Sequence, residues 1–487
     1  MLTRGMTGSL LVLLGGLVVS VLPDSATLYR LDALRALRDH EAGRMIGLAV
    51  VMVGLGLIGA AWLSLCRYVA RADDLTDHTV HTANLALVRT AAVLWSVPLL
   101  LAPPLFSRDG WSYAAQGMMT RVGLSPYDYG PGVLTGPIIE AVDPRWLATG
   151  TPYGPLPLML GGIVSHFTGD PWLLVVAHRI FALAGLAMLA WAIPRLATWT
   201  GVNPALATGL VIASPLMLAN GVGGLHNDLL MVGLMAAALV LAVERGWVYG
   251  AVLGGLAAGV KLPGGLVCIG IALLAAPVGA TMVQRLRRLA AVGLVSVGFL
   301  VGFGLVVGVG LGWVRALAVP GTVNTPLSMP TVIGGFLDYA SMRFQTGLRP
   351  ATFLDLVRQI ATVASLLVAG WVALRWETGS RAAALKAVAV VVAATLLMSP
   401  VVHIWYFLWL VPFVAPLRLS RVGRLWLIAV ALIMGMVAPL DSSLHGAYLA
   451  IIIGSLVSAV VTAVLLLTRA SRLRLGKIAD AEWLPVP

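Results

Sequence analysis

Asp109 follows directly on an apolar stretch that ends at Leu105 and opens a segment dense in hydroxyls and rings, residues 107–131: S-R-D-G-W-S-Y-A-A-Q-G-M-M-T-R-V-G-L-S-P-Y-D-Y-G-P. At helical spacing Asp109 shares a face with Tyr113, Gln116, Gly117 and Thr120. A carboxylate, a phenol and an amide side by side can grip a sugar and take a proton from its hydroxyl. The plainer reading is a solvated loop helix with Asp109 as its N-cap. Groups of the same kind recur later: Tyr127 and Tyr129, then Tyr153 in a second Tyr-Gly-Pro triplet, His226-Asn227-Asp228, Lys261 two residues before Pro263, and His403 with Trp405 and Tyr406. Tyrosine joins an apolar face to a hydroxyl, which suits a sugar ring and a membrane interface equally. Asp228, beside the end of an apolar run, reads as a site acid or as a helix cap.

The elements that must position these residues are membrane spans. The 487 residues are 59% hydrophobic and 11% charged, with a mean hydropathy of +0.95, and apolar runs long enough to cross a bilayer recur throughout. The composition predicts an all-α polytopic membrane protein of about fourteen transmembrane helices, read as a single domain over 1–487. The formal charge of +12 does not point to nucleic acid. Its arginines and lysines sit in short clusters between apolar runs, where topology places them. Cys66 and Cys268 alone provide neither a disulfide framework nor a cysteine metal site.

The run 8–22 reads as a first span rather than a cleaved leader, although Ser25-Ala26 fits the latter. Spans at about 45–66 and 90–105 then deliver Asp109 to the outer face if the N-terminus lies inside. The connection 106–170 is the expected catalytic loop, with interfacial helices. Within it the run 156–167 is about 12 residues long and broken by Pro157, too short to cross. If it lies along the outer interface, four later basic clusters face the cytoplasm: Arg285/Arg287/Arg288, Arg375/Arg381/Lys386, Arg418/Arg421/Arg424 and the tail 469–487. Asn227, Lys261, the second outer loop 312–351 with Arg343, His403 and the turn 441–445 then all face outward. Lys261 interrupts two short apolar halves, and an ammonium at that depth is expensive unless it has a function or snorkels to headgroups. The expected location is the cytoplasmic membrane, with an outward site and both termini inside.

No dinucleotide fingerprint is present, and Gly254–Lys261 fails as a phosphate-binding loop because no strand precedes it. Zinc and acyl-transfer serine motifs are also lacking. An outward enzyme without nucleotide machinery needs a donor that resides in the bilayer, and a polyprenyl-phosphate sugar fits. Its phosphate would leave toward cations or hydrogen-bond donors such as Lys261 and His226, while the acceptor hydroxyl needs a base, for which Asp109 is the natural candidate.

A first large outer loop that begins Arg108-Asp109-Gly110 and continues through Tyr-Gly-Pro-Leu-Pro to an Arg-rich span end resembles the GT-C superfamily of lipid-phosphosugar-dependent glycosyltransferases. More narrowly, the order Asp109-x-x-Ser112-Tyr113-x-x-Gln116-Gly117, Pro126-Tyr127, Tyr153-Gly154-Pro155, His226-Asn227-Asp228, Lys261-x-Pro263 and Ser399-Pro400-x-x-His403-x-Trp405-Tyr406 resembles the actinobacterial polyprenol-phosphate-mannose-dependent α-(1→6)-mannopyranosyltransferases, over about residues 90–410. The resemblance implies a GT-C bundle and inverting transfer of mannose from a polyprenyl-phosphate donor to a mannan glycolipid acceptor of lipomannan and lipoarabinomannan. It implies Asp109 as the catalytic loop acid that acts as base or contacts the acceptor. Lys261, His226, His403 and Arg343 are then expected at the donor phosphate, and Tyr113, Gln116, Tyr127, Tyr129, Tyr153, Asn227, Asp228, Trp405 and Tyr406 at the sugars. No nucleotide sugar is implied. A divalent cation is the remaining alternative, and Arg108 in place of the second adjacent acid of many relatives argues against it. Two rivals are a related transferase for arabinofuranose or glucose, and a lipid-linked sugar transporter or flippase. Transporters usually carry internal repeats with paired broken helices, whereas this sequence shows one break, at 261–263.

Overall fold

The computed structural model describes residues 1–70, 78–437 and 448–481, and among them every regular element is a helix. Among the described residues seven helices are long and apolar enough to cross a membrane: Leu2–Val19, Glu41–Val69, Val80–Leu100, Pro171–Thr198, Met282–Val306, Thr352–Arg375 and Arg381–Met398. Two bent pairs raise the number to nine. The chain is thus an all-α membrane protein, and the described residues hold fewer uninterrupted spans than the fourteen expected from hydropathy. The difference has a local cause: some apolar runs form helices at the lower edge of spanning length, and others are broken. Asp228–Glu244 has 17 residues and Arg421–Met436 has 16, while Trp247–Ala258 and Val267–Ala275 are separated at Lys261-Leu262-Pro263. A second break was not anticipated. At Ser214-Pro215 the helix Pro204–Ile212 gives way to the π-helical turn Met217–Gly223, bent by 54°. Proline removes a donor and clashes with the preceding turn, so a bend there is expected once the residue is placed inside a helix.

The N-terminal helix belongs to the bundle. A Cβ on Gly8 would fall 2.7 Å from the Gly54 carbonyl oxygen, and one on Gly15 would fall 2.5 Å from that of Gly47. The two helices therefore run antiparallel with their backbones in contact, which only small residues allow in a bilayer. Four helices fill the 106–170 connection: Asp109–Arg121, Pro137–Glu140, Pro144–Leu147 and Pro155–Ser165. At the other end, the basic tail is helical over Arg469–Ala479 and docks on the bundle. Arg421 Nε lies 2.7 Å from Asp480 Oδ1, and Arg424 donates to the Ala481 carbonyl. Arg71, the turn 441–445 and the tail residues 482–487 lie outside the described residues.

Candidate active site

The helix Asp109–Arg121 places Asp109 in its first turn, and the face read from the sequence divides in two. Asp109, Ser112, Tyr113 and Gln116 line a cleft, whereas Gly117 and Thr120 pack on the helix Pro155–Ser165. A Cβ on Gly117 would fall 2.6 Å from the Gly161 carbonyl carbon, so glycine is what lets these two helices touch. Asp109 is not the helix cap. The cap position is Arg108, without a side-chain cap bond, and Ser107 Oγ instead accepts from the Asp109 N–H at 3.1 Å.

The cleft draws its walls from four parts of the chain: the Asp109 helix with Ser107 and Arg108 before it, the turn from Asp143 to Tyr153, Lys261, and the segment from Val401 to Tyr406. Val319 and Val323 of the second outer connection also line it. That connection folds onto the first loop through Arg315, whose Nη1 lies 2.8 Å from Asp128 Oδ1.

Three groups hold one oxygen of Asp109. Tyr113 and Tyr153 hydroxyls each lie 3.4 Å from Oδ2 and 2.9 Å from each other, and His226 Nδ1 lies 3.6 Å away. The carboxyl remains 16% exposed. Burial pushes its pKa up, but His226, with His403 and Lys261, pulls harder and holds it below the usual carboxylate range. Burial and the Asp109 charge push both phenols well above their ordinary value, so they act as neutral donors. His226 is itself only 1% exposed. It stacks on Trp405 at 3.9 Å, and His403 stacks on the same indole at 4.3 Å.

Lys261 faces the cleft with its charge already met. Its Nζ lies 3.1 Å from Asp228 Oδ1, which also accepts from Trp409 Nε1 at 2.6 Å, and it sits 4.1 Å from the Tyr406 ring centroid. Asp228 is fully buried and Asn227 nearly so, and neither lines the cleft. Tyr127 is buried away from it against Gly312, Leu158 and Ala316, while Tyr129 is exposed. Arg343 is exposed at the end of the helix Met329–Arg343 and does not reach the cleft. The structure therefore brings Asp109, Tyr113, Gln116, Tyr153, Lys261, His403, Trp405 and Tyr406 together, and places His226 and Asp228 directly behind them. Among the described residues no three His, Cys, Asp or Glu converge on one point.

Sequence reasoning missed Asp143 with Arg145, Arg108, Thr151, Trp409 and Arg179. Asp143 accepts from Arg145 Nε and Nη2 at 3.0 and 2.9 Å on the rim, and Thr151 donates to Gln116 Oε1 at 3.0 Å. Arg179, buried in the span Pro171–Thr198, donates to the carbonyls of Leu100, Ala102, Val222 and Gly223. Its planar fork ties the chain leading to Asp109 to the chain leading to His226. The backbone turns just before those residues lie in the left-handed region, at Phe106 (φ 64°) and Leu225 (φ 57°). An arginine inside an apolar run was the signal available for this clamp.

Against known proteins, the family described as alpha-(1->6)-mannopyranosyltransferase, N-terminal domain, matches residues 2–277, and the one described as MptB C-terminal domain matches residues 330–467. The alpha-(1->6)-mannopyranosyltransferase A of Mycobacterium tuberculosis is 33% identical, over 86% of this chain and 80% of its own. That of Corynebacterium glutamicum is 31% identical over 76% and 78%. A probable alpha-(1->6)-mannopyranosyltransferase of Mycolicibacterium smegmatis is 29% identical over 99% and 89%.

Proposed function

Because the chain belongs to the α-(1→6)-mannopyranosyltransferase family, we propose that it moves mannose from a polyprenyl-phosphate-mannose donor to an α-(1→6)-mannan acceptor of lipomannan or lipoarabinomannan. The transfer takes place on the outer face of the cytoplasmic membrane, with both termini inside and the helices of 106–170 along the interface. One observation carries this reading. Of the acids at or behind the cleft, Asp143 is matched by Arg145 and Asp228 by Lys261, whereas Asp109 is held by two phenols and a histidine and stays ionised and open. The protein contacts fall on Oδ2, and Oδ1 takes the proton from the acceptor hydroxyl as that oxygen attacks the anomeric carbon. A single displacement inverts the centre, so a β-linked donor gives an α product and one base suffices. Gln116, Tyr153, Trp405 and Tyr406 supply the amide, hydroxyl and ring surfaces that hold sugars.

The lipid tail of such a donor needs an apolar path ending at the cleft. A recess walled by Leu13, Leu17, Leu101, Met118, Ile138 and Trp172 is the candidate for it, because its Met118 lies on the same helix as Asp109 and Gln116. The test is to give the purified protein polyprenyl phosphates carrying radiolabelled mannose, arabinofuranose or glucose, together with a short α-(1→6)-mannoside. Label is expected to move from the mannose donor with inversion. Transfer of another sugar alone, or carriage of the lipid across vesicles without transfer, would overturn the reading.

A further inference from the structure

Three side chains of fixed positive charge line the cleft, Arg108, Arg145 and Lys261. Two of them are matched by carboxylates, Arg145 by Asp143 at 2.9 Å and Lys261 by Asp228 at 3.1 Å. Arg108 has no such partner. Its Nη1 donates to the Val142 carbonyl at a long 3.4 Å, and its Nε is buried without a hydrogen-bond partner. Burial works against its charge, and Asp143, which favours that charge, is already bonded to Arg145. A half-buried guanidinium that lines a cleft and makes one long hydrogen bond keeps donors for an anion.

We propose that Arg108 binds the phosphate of the lipid donor. This rests on the lipid-phosphate reading above and moves the phosphate to the Arg108 wall of the cleft, away from Lys261. Arg108 and Asp109 are neighbours in sequence but turn to different walls. Arg108 reaches the turn at Val142, and Asp109 faces Tyr153 and His226. A sugar lying between them has its leaving phosphate at one end and its base at the other, the separation that an in-line displacement requires. The bond from the anomeric carbon to the phosphate oxygen breaks with its electron pair going to the phosphate, whose added charge the guanidinium meets.

The test uses the full chain in nanodiscs and measures the affinity of a polyprenyl phosphate and of the matching uncharged polyprenol for the wild type, Arg108→Gln and Arg108→Lys. The ratio of the two affinities within each variant does not depend on the fraction folded. The wild type is expected to prefer the phosphate. Arg108→Gln should lose about tenfold or more of that preference, and Arg108→Lys should keep part of it. A preference that stays within about threefold in Arg108→Gln overturns the role of Arg108 and leaves the lipid donor standing. A wild type with no preference for phosphate over alcohol overturns the donor reading and this proposal together.

Discussion

The base proposed here has to be ionised, open to the acceptor and fixed in direction; His226 favours the ionised form of Asp109, the Tyr113 and Tyr153 hydroxyls lie on its Oδ2, and the side chain stays partly exposed. Asp109→Asn keeps the shape and removes the proton acceptor. Turnover is expected to fall by ~10²–10⁴-fold while donor affinity and thermal stability stay near wild type. Activity within a few-fold of wild type would end the assignment. Among the neighbours that lower the Asp109 carboxyl, His226 acts most strongly. Removing it raises that pKa, so a larger share of Asp109 is protonated in mild acid. The acid limb of kcat/KM is therefore expected to move to higher pH in His226→Gln. An unmoved acid limb would mean that His226 serves the stack on Trp405 and leaves the carboxylate alone.

Between elements, the buried pair Lys261–Asp228 joins the break between Trp247–Ala258 and Val267–Ala275 to the helix Asp228–Glu244. Breaking a buried pair strands a charge, which costs about 3–5 kcal/mol, whereas neutralising both partners costs far less. Lys261→Met is expected to lower the melting temperature sharply, and Asp228→Asn in the same chain should recover most of the loss. If Lys261→Met instead melts like wild type and only lipid-phosphate affinity falls, the lysine is a ligand and its pairing with Asp228 is incidental. The sequence marked Lys261 as out of place in an apolar run, but its partner lies 33 residues away and no periodicity connects the two.

For the whole molecule, sidedness turns on the helix Pro155–Ser165, whose 11 residues extend roughly 16 Å at 1.5 Å per residue, about half a hydrocarbon core. With this helix on the outer interface, the loop 106–170 faces out and the turn at Glu244 and Arg245 faces in. In a background of Cys66→Ala and Cys268→Ala, Thr135→Cys should react with an impermeant maleimide added outside intact cells, and Arg245→Cys should react only after permeabilisation. Both positions are exposed in the structure. Labelling of both from outside would show that the helix crosses after all.

Composition by itself determined the class, since a chain this apolar can hide its backbone polar groups from lipid only in helices or a closed barrel, and its runs have helical length. The sequence also marked short segments that the fold brings to or behind the cleft, because Asp109, His226, Lys261 and His403 are polar residues at the ends or breaks of apolar runs, where their burial needs a reason. It did not determine their roles. His226 and Lys261 both read as cations for a phosphate, yet His226 Nδ1 lies 3.6 Å from Asp109 and Lys261 is paired with Asp228, while Arg108, which read as a departure from a pattern, lines the cleft beside an Asp143 already bonded to Arg145. A charge has a role only relative to the partners around it. Those partners come from helices more than 30 residues apart, brought together by the Arg179 clamp and the glycine contacts that only the folded bundle contains.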